Sequence, residues 1–230
     1  MGKTRKDRQG RDVKAPLREA ARIYTRRGDF GETDLPALGQ TAKSHPRLAA
    51  SGALDELNCA IGELAVRTEA SSLGASQRRA VLRRAKRAQR ELFLLGSLLS
   101  GAARPARGPT ASHRAMVERL EAEIEAMEAE LPACRGFLVP GGDPLASAAH
   151  LARAVCRRAE RDCTAVVSDE SLAGVILPYL NRLSDWLFVL ARWLAKLTGG
   201  AEEYWPTPAK DRKQAACAGK KKSRSSRRRQ

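Results

Sequence analysis

The chain has 230 residues, a length that suits one domain with tails and excludes a long array of modules. Hydrophobic residues make up 43% and charged residues 30%, so the chain can build a packed core and is not wholly disordered. The formal net charge of +16 is concentrated at the two ends. Residues 1–22 hold eight Lys/Arg against three acids, and residues 210–230 hold ten against one, so the central part is nearly neutral.

The two basic ends, residues 1–22 and 209–230, are predicted to be disordered tails, because like charges repel and no apolar periodicity opposes them. Neither tail contains an aromatic residue on which a base could stack. Nonspecific contact with nucleic acid or an anionic surface stays open. A specific nucleic-acid partner is not expected.

The cysteines and histidines exclude several kinds of site. Five cysteines without a CxxC pair argue against a disulfide framework and fit a reducing compartment. Three isolated histidines lack the spacing of a di-iron or zincin site. No apolar stretch approaches the roughly 20 residues of a membrane span, and the first 20 residues lack a secretory apolar core. We therefore expect a cytoplasmic protein without a membrane partner; the N-terminus would make a poor organellar presequence.

Apolar residues recur every three or four positions in five segments, which predicts five helices, each with one buried stripe. The predicted helices cover residues 51–68, 78–100, 112–131, 144–167 and 171–198. Ser51 is the predicted N-cap of the first helix, and Pro178 lies in the first turns of the last helix or kinks it. With short connections and no βαβ alternation, the sequence predicts an all-α, up-and-down bundle.

The segment before the first helix, IYTRRGDFGET at 23–33, carries groups that suit a polyphosphate. Gly28 and Gly31 allow tight turns that present backbone N–H groups, and threonine hydroxyls and arginines add donors and positive charge. The P-loop pattern is absent from the chain, so a nucleotide would be held in another geometry. The alternative is an ordinary Gly-Asp turn.

A second segment, FLVPGGD at 137–143, leads into a helix with an arginine-rich face. Arg153, Arg157, Glu160 and Arg161 fall on one side of this helix, and Arg158 adds a further charge. Clustered guanidinium groups favour an anion among them, and a triphosphate is a suitable one. The alternative is an exposed basic face with Glu160 as its local partner.

Polar residues also interrupt the apolar surfaces of the first and last helices. They are Asp55 and Asn58 on the first helix, and Asn181, Arg182 and Asp185 on the last. Because polar groups beside a core need partners, we expect Asp55 and Arg153 to pair across the bundle.

In this order, the segments resemble the PduO-type ATP:cob(I)alamin adenosyltransferases, which are known from bacteria and mitochondria. The similarity covers residues 23–206 and is most specific in CRRAER at 156–161 and YLNRLSD at 179–185. EEYWPTP at 202–208 extends it, and the adenosyltransferase domain is taken as residues 23–208. Arg27 and Phe30 depart from the family pattern in the N-terminal loop.

The resemblance implies a ferritin-like five-helix bundle that forms a homotrimer with active sites between neighbouring subunits. ATP would lie between the N-terminal loop of one chain and the arginine helix of the next. The implied ATP-binding residues are Tyr24, Thr25, Arg26, Gly28, Asp29, Gly31, Thr33, Lys43, Arg157, Arg158, Glu160, Arg161 and Asn181. Phe137, His150 and Asp185 would contact cobalamin, and the implied catalytic set is Arg157, Arg153, Asp55 and Phe137.

The implied reaction transfers the 5′-deoxyadenosyl group of ATP to the cobalt of cob(I)alamin and releases triphosphate. Phe137 would occupy the lower face of the corrin and exclude an axial ligand, which eases reduction of Co(II). Arg157, Arg161 and a Mg²⁺ ion would stabilise the leaving triphosphate, and no residue is assigned as a metal ligand. The implied partners are a Co(II) reductase and an adenosylcobalamin-dependent enzyme. The alternative is a non-catalytic cobalamin or ATP carrier or sensor on the same bundle.

Overall fold

The computed structural model describes residues 5–6, 12–13, 24, 26–103, 108–167 and 170–206. Most of the two predicted tails lies outside these residues, so their disorder stays a prediction. Within the N-terminal tail, β1 (Arg5–Lys6) pairs antiparallel with β2 (Asp12–Val13). The chain divides into two compact units, residues 1–45 and residues 46–230.

The N-terminal unit contains a short hairpin that the sequence did not predict. Strand β3 (Glu32–Leu35) pairs antiparallel with β4 (Gly39–Ala42), and Leu35 lies opposite Gly39. The backbone N–H of Leu38 donates to the Leu35 carbonyl at 2.9 Å and closes the turn. Pro36 stands at the second position of this turn, which its fixed φ favours. Gly39 has φ 72°, a conformation that favours glycine.

The second unit is the predicted five-helix bundle. Its helices are α1 (Pro46–Glu69), α2 (Ala75–Ser100), α3 (Ala111–Glu128), α4 (Pro144–Thr164) and α5 (Glu170–Thr198). Helix α1 packs against α2 and α4, and α5 packs against α4 and α3. Helices α1 and α4 run antiparallel: Arg158, late in α4, pairs with Glu56, whereas Ser147, early in α4, lines a pocket with Arg67 near the end of α1.

Two helix starts show how local sequence sets the boundaries. Asp143 caps α4, since its Oδ1 accepts hydrogen bonds from the N–H groups of Leu145 at 2.8 Å and Ala146 at 2.9 Å. Ser51 is not an N-cap, because α1 already begins at Pro46. Proline suits a first helical position, where its missing N–H costs no hydrogen bond. Ser51 therefore lies inside the helix, and its Oγ is buried without a partner.

The core is built from the apolar stripes that the periodicity predicted. Leu57, Ile61 and Leu64 of α1 are fully buried, and α5 is the most buried helix with Pro178 in its interior. Two large buried side chains on α5 have polar partners: Tyr179 Oη donates to Glu91 at 2.8 Å, and Trp186 Nε1 donates to Glu123 at 2.9 Å. No helix in the described ranges is long and apolar enough to cross a membrane.

Candidate active site

The loop at residues 26–31 folds back on itself twice. The Asp29 N–H donates to the Arg26 carbonyl and the Gly31 N–H donates to the Gly28 carbonyl, each at 3.3 Å. Arg26 has φ 61° and Gly31 has φ 83°, so two residues of this short loop adopt left-handed backbone. Such turns direct successive N–H groups to one side, which suits an anion.

Lys43, which directly follows the hairpin, holds this loop with two hydrogen bonds. Its Nζ donates to the Gly28 carbonyl at 2.6 Å, and its backbone N–H donates to the Gly31 carbonyl at 2.8 Å. A Cβ at position 28 would lie 2.9 Å from Nζ, so glycine permits this close approach. The predicted contact of Lys43 with a nucleotide stays a prediction, and its described role is to hold the loop.

Beside the loop, the hairpin forms an open pocket of about 590 Å³. The lining residues are Arg27, Gly28, Glu32, Thr33, Asp34 and Gln40. Gln40 donates to the Glu32 carboxylate, and Arg27 lies 3.9 Å from the Asp34 carboxylate. The guanidinium of Arg26 stacks over the Tyr24 ring at 5.6 Å. Thr25 lies outside the described residues, so the predicted hydroxyl at that position is not placed.

The arginine face of α4 is the second half of the predicted site. Arg157 and Arg161 are exposed, and Arg161 donates to the Arg157 carbonyl at 3.1 Å. Neither guanidinium forms an ion pair with another described residue. Arg153 is half-buried, and its Nε is buried without a hydrogen-bond partner. Burial, with a smaller contribution from the Arg157 charge, lowers the pKa of Arg153.

The expected Asp55–Arg153 pair across one bundle is not found among the described ion pairs. The ion pair between α1 and α4 joins Glu56 to Arg158 instead. A hydrogen bond between these two side chains raises the pKa of Arg158 and lowers that of Glu56. Asp55 is exposed, whereas Arg153 lies more than one helical turn before Arg158. The family resemblance also implies a salt bridge from Arg153 to Asp55 of a neighbouring subunit, and that pair stays a prediction.

Helix α5 contributes two polar contacts beside the arginine face. Asn181 Nδ2 donates to the Glu160 carboxylate at 3.1 Å and so joins α5 to α4. Asp185 accepts a hydrogen bond from Arg182 at 2.8 Å, and Arg182 also donates to Glu121 at 3.1 Å. The motifs CRRAER and YLNRLSD therefore meet through this hydrogen bond. The predicted corrin contact of Asp185 is not tested by these bonds.

Phe137 lies just before the start of α4, in an extended segment that pairs with the residues after α5. Leu138 forms an antiparallel bridge with Tyr204. On either side of it, the Trp205 N–H donates to the Phe137 carbonyl and the Val139 N–H donates to the Glu203 carbonyl, each at 2.8 Å. Directly opposite residues in such a ladder project to one face. Phe137 and Trp205 are opposite one another on this ladder, and their side chains are 82% and 64% exposed.

His150 lies on α4 between this aromatic pair and the arginine face. Its ring is buried and packs tilted against Phe188, with 6.0 Å between ring centroids. Nδ1 has no hydrogen-bond partner. Burial and the charge of Arg153 lower the pKa of His150, and the charge of Glu202 partly opposes them. His150 also lines a pocket of about 360 Å³ that includes Leu138 and Val139.

The two cysteines of α4 are not suited to nucleophilic chemistry. Cys156 and Cys163 of α4 are free but buried, and burial raises the pKa of both thiols, that of Cys163 to about 12. A thiol with such a pKa is inert as a nucleophile at neutral pH. The arrangement can therefore bind and stabilise an anion, but these cysteines do not supply a covalent nucleophile.

Comparison with known proteins shows the family. Residues 23–194, which are 172 of the 230 residues, match the family model for cobalamin adenosyltransferase. The chain belongs to the cobalamin adenosyltransferase family. A corrinoid adenosyltransferase of Mycobacterium tuberculosis (strain H37Rv) is 42% identical over 177 residues, which cover 74% of this chain and 87% of the relative. A corrinoid adenosyltransferase of Bacillus subtilis is 38% identical over 184 residues, covering 80% and 92%.

Solved structures of the family are also similar. A variant PduO-type ATP:co(I)rrinoid adenosyltransferase from Lactobacillus reuteri, complexed with ATP, matches with a TM-score of 0.68 and 32% identity. The match covers 80% of this chain and 100% of that chain. A second variant from Lactobacillus reuteri, complexed with cobalamin and ATP, matches with a TM-score of 0.67 and 30% identity over 81% and 100%. The family relationship thus covers both the hairpin unit and the bundle.

Proposed function

We propose that this chain transfers the 5′-deoxyadenosyl group of ATP to the cobalt of cob(I)alamin. The observation that carries the proposal is the unpaired arginine face of α4, with Arg157 and Arg161 beside the Glu160–Asn181 contact. Membership of the cobalamin adenosyltransferase family supports the same reaction. The products are adenosylcobalamin and triphosphate.

The reaction needs electrostatic stabilisation rather than a protein nucleophile. The electron pair of Co(I) forms a bond to the 5′-carbon of ATP, the bond from that carbon to oxygen breaks, and triphosphate leaves with the bonding pair. Negative charge therefore develops on the leaving oxygen. The exposed guanidinium groups of Arg157 and Arg161 would counter this charge, and the loop at 26–31 would supply those N–H groups that its own turns do not use.

Phe137 is proposed to control the lower axial position of the cobalt. Its ring is exposed on the ladder with residues 203–205, where it can meet a flat ligand, and a phenyl ring cannot ligate a metal. Exclusion of a lower ligand removes electron density from Co(II) and makes its reduction easier. The electron would come from a separate Co(II) reductase, and an adenosylcobalamin-dependent enzyme would receive the product.

The active site is proposed to form between protomers of a homotrimer. Asp55 of α1 is exposed and Arg153 of α4 is only half-buried, so the two side chains can pair between protomers. Exposed apolar residues on the same two helices, Val66 of α1 and Leu151 of α4, suit an interface. ATP would then lie between the loop of one protomer and α4 of the next.

Magnesium is proposed to enter with ATP and to neutralise charge on its phosphates. No group of three or more potential ligands among His, Cys, Asp and Glu occurs in the described residues. Mg²⁺ commonly binds through one or two carboxylates together with substrate phosphates, and the hairpin pocket offers Glu32 and Asp34. We place the reaction in the cytoplasm, as the sequence suggested.

One assay separates catalysis from mere binding. The full chain is given ATP, Mg²⁺ and chemically reduced cobalamin, and adenosylcobalamin and free triphosphate are measured together. The proposal expects the two products to appear in equal amounts. Binding of both substrates without either product would contradict it and would favour the carrier or sensor alternative.

A further inference from the structure

Arg192 of α5 makes contacts that the proposed reaction has not yet used. Only 4% of its side chain is exposed. Its Nε donates to Glu202 Oε1 at 2.6 Å, and its Nη2 donates to the Pro132 carbonyl at 2.8 Å. Tyr204 Oη donates to the second oxygen of Glu202 at 2.6 Å. One guanidinium therefore binds two segments that are distant in sequence.

These two segments are the ones that carry the ladder at Phe137. Pro132 lies in the connection between α3 and Phe137, and Glu202 directly precedes the paired residues 203–205. One turn further along α5, Lys196 Nζ donates to the Glu130 carbonyl at 2.6 Å. This bond holds the same segment that Arg192 binds at Pro132. Helix α5 thus binds the segments on both sides of the ladder, and Arg192 is the residue that contacts both of them.

The charges of this cluster favour its formation. Burial opposes ionisation of Glu202, but hydrogen bonds from Arg192 and Tyr204 outweigh that effect and lower its pKa. A buried, paired guanidinium is costly to leave without its partner, so loss of either side chain affects the whole cluster. The planar guanidinium of Arg192 donates to the Glu202 carboxylate and to the Pro132 carbonyl at the same time, a geometry that lysine cannot reproduce.

We propose that Arg192 is a positioning residue for Phe137: it fixes residues 203–205 against 137–139 and thereby sets where the phenyl ring stands. The inference rests on the proposed function, because the position of Phe137 matters through the lower face of the corrin. Arg192 itself is almost fully buried and is not assigned a substrate contact. A purely structural ion pair is the competing explanation.

The test compares Arg192→Met and Arg192→Lys in the full chain with Arg119→Met, which removes the ion pair of Arg119 with Glu91 between α3 and α2. Hydrogen exchange at the amides of Val139 and Trp205 reports on the ladder without any substrate. We expect exchange at least about tenfold faster in Arg192→Met, a smaller increase in Arg192→Lys, and no local increase in Arg119→Met. Unchanged protection in Arg192→Met overturns the inference.

The second measurement is adenosylation by two routes. One starts from cob(II)alamin with a reduced flavin, and the other starts from cob(I)alamin that was reduced chemically beforehand. Arg192→Met should slow the first route at least about tenfold more than the second, with less four-coordinate Co(II) by electron paramagnetic resonance. Equal slowing of both routes would make the ion pair merely structural. Absence of product in the unsubstituted protein would instead remove the proposed function, on which this inference rests.

Discussion

The side-chain amide of Asn181 donates a hydrogen bond to the Glu160 carboxylate at 3.1 Å, so α5 contributes to the polar face that α4 presents. Asn181 is neutral, so this contact adds no positive charge beside Glu160. Arg157 and Arg161 form no ion pair with another described residue. The two guanidinium groups repel each other in the empty protein, and a bound anion would relieve this repulsion.

Replacement of Arg157 with alanine is expected to lower kcat by about 100-fold or more, because it removes one preorganised donor to the leaving triphosphate. Release of triphosphate under saturating ATP and cob(I)alamin measures the effect. Arg90→Ala, which removes an exposed arginine on α2, is the control and should keep normal turnover. Near-normal turnover of Arg157→Ala would refute the assigned role.

A site shared between protomers predicts complementation between two inactive variants. Lys43→Ala loosens the loop that Lys43 holds, and Arg157→Ala weakens the arginine face. In a trimer whose sites join the loop of one protomer to α4 of the next, random mixing restores about a quarter of the sites. Co-refolded mixtures should therefore recover activity that neither variant has alone. No recovery, despite mixed oligomers by mass spectrometry, would place each site within one chain.

Phe137→Ala is expected to impair the route from cob(II)alamin far more than the route from preformed cob(I)alamin. The reason is that the phenyl ring is proposed to act on the ease of cobalt reduction rather than on the transfer step. Initial rates by the two routes give the comparison. Phe93→Ala, which removes an exposed aromatic side chain on α2, is the matched control. If both routes slowed equally in Phe137→Ala, the axial-ligand argument would fail.

The fold was predictable from sequence because burial repeats with the helical period. Leu57, Ile61 and Leu64 of α1 are buried as their spacing requires. The start of α1 was wrong by five residues, since Pro46 opens the helix before the apolar stripe makes it visible. The hairpin was missed because each strand has four residues, too few for a period-two pattern, although Pro36 and Gly39 mark its turn.

The pH dependence of stability follows from His150. Burial and the Arg153 charge lower its pKa in the folded chain, whereas the unfolded chain has the ordinary value of about 6.5. Below that pH the unfolded state binds a proton that the folded state resists, so stability should fall as pH drops from about 6.5 toward the lowered pKa.

Thermal unfolding at about pH 7.5 and 5.5 measures this effect. His150→Gln should lose less of its Tm between the two values than the unsubstituted chain does. His45→Gln, in the N-terminal unit, is the control and should keep the full decrease. An identical decrease in all three proteins would show that His150 is not the group responsible.

The tails are predicted to be dispensable for catalysis. Removal of residues 1–20 and 210–230 deletes most of the excess positive charge, and it leaves the loop, the bundle and residues 203–205 in place. Adenosylation should be unchanged, while any nonspecific binding of nucleic acid should disappear, because it depends on charge. Loss of both activities together would mean that the tails serve the enzyme.

The site was only partly predictable, because several of its contacts join residues far apart in sequence. The arginine face followed from helical spacing, and the Glu160–Asn181 contact joins two recognisable motifs. The partner of Arg158 did not follow: Glu56 and Asp55 are adjacent, and only packing decides which of them faces α4. Pairing of residues 203–205 with Phe137 was equally invisible, since two three-residue segments carry no periodic signal.

The ladder between residues 137–139 and 203–205 also orders events during synthesis. A nascent chain translates Phe137 long before the segment that pairs with it, and every residue of α4 and α5 comes in between. The helices can therefore assemble while the aromatic platform is still incomplete. A polypeptide released before Glu203 would keep its five helices and yet lack the residues that pair with Phe137, so this ladder can close only after α4 and α5 have been made.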